Sequence, residues 1–146
     1  MAELTELEQV LPQEIEKRSF EIITQELGDR VLDEKQAPVI KRVIHTTADF
    51  DYADNLVFSP NVMELAWQAI REGAPIITDT NMGKSGINKK RLAKYGSEVY
   101  CFMADEDVAE EAKKNGTTRA CASMDKAARL GLNGIFAIGN APTALV

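Results

Sequence analysis

The chain is poor in the residues from which most enzyme centres are built, with one histidine and two cysteines in 146 residues. Cys101 and Cys121 have no histidine beside them. That excludes a zinc cluster and a Cys-x-x-Cys redox pair, and leaves buried, reduced thiols as the expectation. No serine sits in a G-x-S-x-G elbow and no G-x-G-x-x-G marks a dinucleotide site. No apolar stretch approaches the roughly 20 residues that cross a bilayer. The first ten residues, MAELTELEQV, are acidic where an export leader is basic and then apolar, so a cytoplasmic location is expected. Positive charge is the scarcer sign: 17 Lys and Arg stand against 23 Asp and Glu, a formal charge of −6. This balance argues against broad binding to nucleic acid or anionic membrane, while a local anion site stays compatible with it.

What is present is an ordinary soluble composition, 45% hydrophobic, in a chain long enough for one domain with a real core. Pro12 opens an amphipathic helix through Leu27, with Ile15, Phe20, Ile22, Ile23 and Leu27 as its apolar positions and Gly28 as its stop. A second helix starts near Ala37, because Pro38 is tolerated in a first turn. From residue 60 helices alternate with short apolar runs. PNVMELAWQAIREG, NKKRLAKYG, DEDVAEEAKKNG and MDKAARLGL read as helices, and APIITD, EVYCFM and GIFAIG as strands. Short continuous apolar strands between helices that end in glycine indicate an α/β fold. Its parallel sheet is built from βαβ units, flanked by helices and preceded by N-terminal helices. Ligand sites in such sheets lie beyond the carboxyl ends of the strands, here TDTNMGKSG, ADEDVA and GNAPTALV.

TDTNMGKSG, residues 78–86, has the end of a phosphate-binding loop in Gly83, Lys84 and Ser85, but threonine stands at position 78 where the pattern requires its first glycine. Without that glycine the backbone cannot turn its N–H groups onto phosphate oxygens, so a nucleotide-binding domain is the least favoured reading. Lys84, Lys89, Lys90, Arg91 and Lys94 form a basic cluster just after this segment. It is either a local attraction for anions or a solvated helix face.

The one histidine, His45, stands in RVIHTTADFDYADNL with Arg42 before it and Asp49, Asp51 and Asp54 after it. On position alone it is a core or surface histidine. The polar crowding exceeds what a connection between helices needs, and imidazole is the side chain that exchanges protons near neutrality. The aspartates lack the glycine and the closing glutamate of a calcium loop, so solvated turn residues are their simpler reading. From the residues alone, Arg42 and Arg119 read first as partners in surface or interhelical ion pairs.

Several segments then occur in one order: PxxIExxSFxII at residues 12–23, RVIHTTADFDYADNLVFSP at 42–60, TDTNM at 78–82, TRACASMDKA at 118–127 and AIGNAPTAL at 137–145. Together they resemble the precorrin-8 methylmutase family, the precorrin isomerases of cobalamin biosynthesis. The resemblance implies an isomerase that moves a methyl group between adjacent ring carbons of precorrin-8 or cobalt-precorrin-8, giving hydrogenobyrinate or cobyrinate. It implies protonation of the macrocycle by His45 and no redox or nucleotide cofactor. Ser19 and Arg42 match family positions near the substrate; Arg119 lies in the matched TRACASMD, where its guanidinium would clamp a carboxylate, and Thr80 and Asn140 stand in strand-end loops that would hydrogen-bond the acid side chains. Lys84 stands where family members often carry apolar residues, so its attraction for a polycarboxylate rests on its charge alone. The implied partners are the corrinoid polycarboxylate and a second copy in a homodimer, with no nucleic acid, membrane or protein-held metal.

Chains of this family continue past GNAPTAL with a further helix, an apolar strand segment and a terminal helix. Residues 1–146 are therefore expected to form a single isomerase-like domain, truncated at its C-terminus, with an incomplete sheet, weak corrinoid binding and slow turnover. The competing reading from another class is a non-catalytic corrinoid carrier of the same pathway.

Overall fold

The computed structural model describes residues 11–146, so the acidic N-terminal segment lies outside the described residues. The chain divides into two compact units, Met1–Met63 and Glu64–Val146, each with a hydrophobic cluster.

In the first unit, helix α1 runs over Pro12–Leu27, α2 over Ala37–Thr47 and a short α3 over Tyr52–Asn55. Both long helices carry proline in the first turn, where a missing N–H costs no helical bond. Asp33 prepares the entry to α2 by accepting the N–H groups of Lys35 and Gln36 on its carboxylate. Ile23 and Leu27 on α1 pack with Ile40 and Ile44 on α2, each pair four residues apart and so on one helix face. Leu32, Phe50, Tyr52 and Phe58 close the cluster. The apolar face of α1 is narrower than its sequence predicts, since Ile15 and Ile22 are 53% and 45% exposed.

Helix α4 (Val62–Arg71), most of which belongs to the second unit, leads into that unit's three parallel strands, β1 (Ile76–Thr78), β2 (Val99–Tyr100) and β3 (Ile135–Ala137). Their order is β2-β1-β3, with Ile76 opposite Val99 and Ile135. The central strand β1 is wholly buried, which accounts for its unbroken apolar run. Helices α5 (Asn81–Gly86) and α6 (Lys89–Leu92) follow β1, and α7 (Glu106–Asn115) and α8 (Arg119–Arg129) follow β2. Ile77, Phe102, Val108, Ala112, Ala122 and Ala127 form the core between the sheet and the α7–α8 pair. The mixed α/β architecture with a small parallel sheet and flanking helices is the expected one.

Three local expectations change. Residues 81–86, read as a loop, form helix α5, because the Thr80 hydroxyl caps it by accepting the Gly83 N–H at 2.9 Å. Helix α8 starts at Arg119, five residues before the apolar periodicity of MDKAARLGL, capped in the same way by Thr118. Strand pairing of EVYCFM stops after Tyr100, and Cys101 and Phe102 are buried without joining the ladder.

Candidate functional site

Helix α2 carries Arg42 and His45 three residues apart, on neighbouring positions of one face. His45 falls in the last turn, against the carbonyl end of the helix, the pole that suits a cation. Its ring stacks on Phe20 of α1 at 5.2 Å between centroids and 23° between planes. The Arg42 guanidinium covers the same phenyl ring at 4.7 Å and pairs with Glu16. Ser19, next to Phe20, shares with His45 a cleft of about 220 Å³ whose wall also includes Ile22, Glu26, Ala48 and Phe50. Ser19, Arg42 and His45 are thus gathered around two facing helices. Phe20 and Glu16 complete the group; the sequence signal for Phe20 was its place in the SF pair of the matched segment.

The aspartates that follow His45 have local structural partners. Asp49 accepts the Asp51 N–H at 2.9 Å, and Asp54 pairs with Arg30 at 3.0 Å. Among the described residues no group of three or more His, Cys, Asp or Glu side chains is arranged to hold a metal ion.

In the second unit Thr80 and Asn140 follow β1 and β3 at the same, carboxyl end of the parallel sheet. Asp79 joins them. This carboxylate is 1% exposed. It accepts three backbone N–H groups, Gly139 at 3.0 Å on one oxygen and Asn140 at 2.8 Å and Ala141 at 2.7 Å on the other. Burial acts to raise its pKa, but the bonds from Gly139, Ala141 and Asn140 outweigh it and hold the carboxyl below its ordinary value. Asp79 is the second residue of the TDTNM segment. Its signal was an acidic residue directly after a fully apolar strand, where burial obliges a carboxylate to find donors.

Arg119 is the first residue of α8 and exposed. A cation at the positive end of a helix is electrostatically unfavourable, so the helix itself gives no reason for it. Just before it the Thr118 hydroxyl donates to that of Thr143 at 2.9 Å, tying the start of α8 to the residues after Asn140. Lys84 lies in the last turn of α5, where a cation suits the helix, and its carbonyl accepts the Lys89 ammonium at 2.6 Å. Cys101 is buried and Cys121 half-buried, both free thiols. Among the described residues no helix is long and apolar enough to cross a membrane.

A parallel sheet with polar loops at its carboxyl end belongs to the class of α/β domains that hold ligands beyond their strand ends. The solved precorrin-8X methylmutase of Thermus thermophilus superimposes with a TM-score of 0.82 at 40% identity, over 91% of this chain and 65% of that one. The chain belongs to the Precorrin-8X methylmutase family, which it matches over residues 14–146. Cobalt-precorrin-8 methylmutase of Priestia megaterium is 47% identical over 94% of this chain and 61% of its own length. The protein of the same name from Methanocaldococcus jannaschii is 48% identical over 84% of this chain and 56% of its own length. The chain therefore spans about three-fifths of the length of these curated relatives.

Proposed function

We propose that the chain provides the methylmutase chemistry of its family: it binds precorrin-8 or cobalt-precorrin-8 and moves one methyl group between adjacent ring carbons, giving hydrogenobyrinate or cobyrinate. The observation that carries this reading is the family match over residues 14–146. In this reading His45 gives its proton to the macrocycle. Protonation draws electron density out of the conjugated ring and lowers the barrier to migration, a contribution of about 10²–10⁴-fold for a well-placed acid. The stack on Phe20 supports the role, since it fixes the imidazole beside the cleft it shares with Ser19.

Ser19, Arg42, Thr80, Lys84, Arg119 and Asn140 are the proposed contacts to the substrate's acid side chains. A polycarboxylate is repelled on average by a chain of charge −6, so guanidinium groups that donate to both oxygens of a carboxylate would supply the local attraction. A homodimer in the cytoplasm belongs to the same reading, with sedimentation velocity as its check.

The test is incubation of the chain with each substrate form while the visible spectrum follows product appearance. Conversion by the wild-type chain, abolished in His45→Ala with pigment still bound, supports the isomerase with His45 as its acid. Undiminished conversion by His45→Ala removes the acid role. Binding with no conversion by the wild-type chain favours the carrier reading.

A further inference from the structure

The three N–H groups of Gly139, Asn140 and Ala141 converge on one buried carboxylate, which stands at the end of the central strand, next to the residue that caps α5. Three successive backbone donors aimed at one point form an anion-binding concavity. Left empty, such a concavity would compete for the acid groups of a polycarboxylate or let the loop relax. Asp79 fills it from within the chain. A second tie, Thr118 to Thr143 at 2.9 Å, holds the same loop two residues beyond Ala141. The Asn140 N–H is engaged in this way while its side chain is exposed, so the backbone is fixed and the carboxamide is left at the sheet end that also carries Thr80.

We propose that Asp79 is a positioning residue: its carboxylate locks residues 139–141 so that the Asn140 carboxamide meets an acid side chain of the bound tetrapyrrole. The inference rests on the function proposed above and deepens it. Asp79 acts through the loop and touches no substrate atom. The low pKa direction of Asp79 agrees with a carboxylate that stays ionised to keep all three donors.

Asp79→Asn is the sharpest variant, because it keeps the shape but can present only one accepting oxygen where the carboxylate presents two. Two quantities are measured on the whole chain: hydrogen exchange of the Gly139, Asn140 and Ala141 amides, and affinity for cobyrinic acid followed by its visible absorption. Protection of the three amides is expected to fall about tenfold or more in Asp79→Asn, with α7 and α8 unchanged, and affinity to fall roughly tenfold with it. Val108→Ala, a core change in α7, is the control. It lowers the melting temperature and leaves both loop protection and affinity as they were.

Loop amides that stay protected in Asp79→Asn overturn the inference, and so do released amides with unchanged affinity. A wild-type chain that does not bind cobyrinic acid counts instead against the proposed function, while the amide exchange still decides whether Asp79 holds the loop. Where Asp79→Asn fails to fold, the wild-type chain answers by itself. On acidification below the ordinary aspartate range the three amide resonances must move together, and amides that do not move sink the proposal.

Discussion

The imidazole of His45 lies on the phenyl ring of Phe20, 5.2 Å away and 23° from parallel, while Arg42 covers that ring at 4.7 Å. One aromatic side chain therefore fixes the only histidine in the chain and an arginine from the next helix. Phe20→Leu keeps most of the apolar volume and removes the ring. Stability is expected to fall by about 0.5–1.5 kcal/mol, the usual worth of an aromatic pair beyond its buried area, read from urea unfolding. On the proposed role of His45, kcat falls more than KM rises, because the loss is in the aim of the acid. A rise in KM alone would place Phe20 in substrate binding instead.

Arg42 and Glu16 form an ion pair with both side chains more than half exposed, 56% and 60%. Pairs of this kind contribute about 0–1 kcal/mol and an exposed cation–π contact such as that with Phe20 about 0.5–1 kcal/mol, so Arg42→Ala is expected to lower the melting temperature only modestly. If Arg42 takes a substrate carboxylate, cobyrinic acid affinity falls roughly tenfold or more, the usual loss for a bond to a charged group. Glu16→Gln frees the guanidinium and is expected to tighten binding. Equal affinity in wild type and Arg42→Ala would return Arg42 to the surface-pair reading.

How far the sequence carried can be seen at particular residues. Helix α1 and the start of α2 were legible to within a residue, because Pro12, Gly28 and Pro38 punctuate a clear apolar period, while α2 runs two residues past His45, to Thr47. Helix α5 was not, since Asn81, Gly83, Ser85 and Gly86 are poor helix formers, and the Thr80 cap that starts the helix is a single local bond three residues long. The first turns of α8 were hidden for a different reason. Their buried positions are Ala120, Ala122 and Ser123, small residues that leave no hydrophobic stripe to read. Ser19, Arg42 and His45 were legible through the family resemblance, and the structure gathers them around α1 and α2. The Asp79 bonds were not, because a carboxylate and a loop 60 residues later share no local pattern.

Lys126 gathers two carboxylates, Asp105 at 2.7 Å and Asp107 at 2.8 Å, and its ammonium sits 5.3 Å over the Phe102 ring. Its side chain is only 19% exposed, which places this network above an ordinary surface pair. Lys126→Ala is expected to lower the melting temperature, because two acids are left facing each other with a lost cation–π contact. Part of the loss is recovered in about 1 M salt, where the Debye length falls to roughly 3 Å and the repulsion is screened. Thermal melts of both proteins across a salt series measure it; a difference that ignores salt would assign the effect to packing.

Gly134 opens β3 at a point where a Cβ would collide with the carbonyl of Pro75, the same carbonyl that accepts the Ile135 N–H at 2.9 Å. The glycine lets two parallel strands start side by side. Gly134→Ala is expected to cost about 2–3 kcal/mol, as a small-to-large change that backbone must absorb does. It is also expected to lower protection at the Ile135 amide before that of α7, seen by hydrogen exchange. A neutral Gly134→Ala would mean that β3 can slide away from β1 without penalty.

The acid limb of stability belongs to Asp79. Its folded pKa lies below the ordinary value of 3.8, so its contribution is fully present above that value. It declines as pH falls from there towards the folded pKa, and is gone beneath it. Asp79→Asn has no such proton to bind. The gap in unfolding free energy between wild type and Asp79→Asn is therefore expected to be constant from about pH 5 upward and to close as pH drops below 3.8. Asp107, also held low chiefly by its bond to Lys126, titrates in both proteins and cancels in the difference. Urea unfolding of the pair between about pH 2 and pH 6 gives the curve, the range in which a depressed aspartate titrates. A gap that stays open at the acid end would mean that the three amides were never held by the charge.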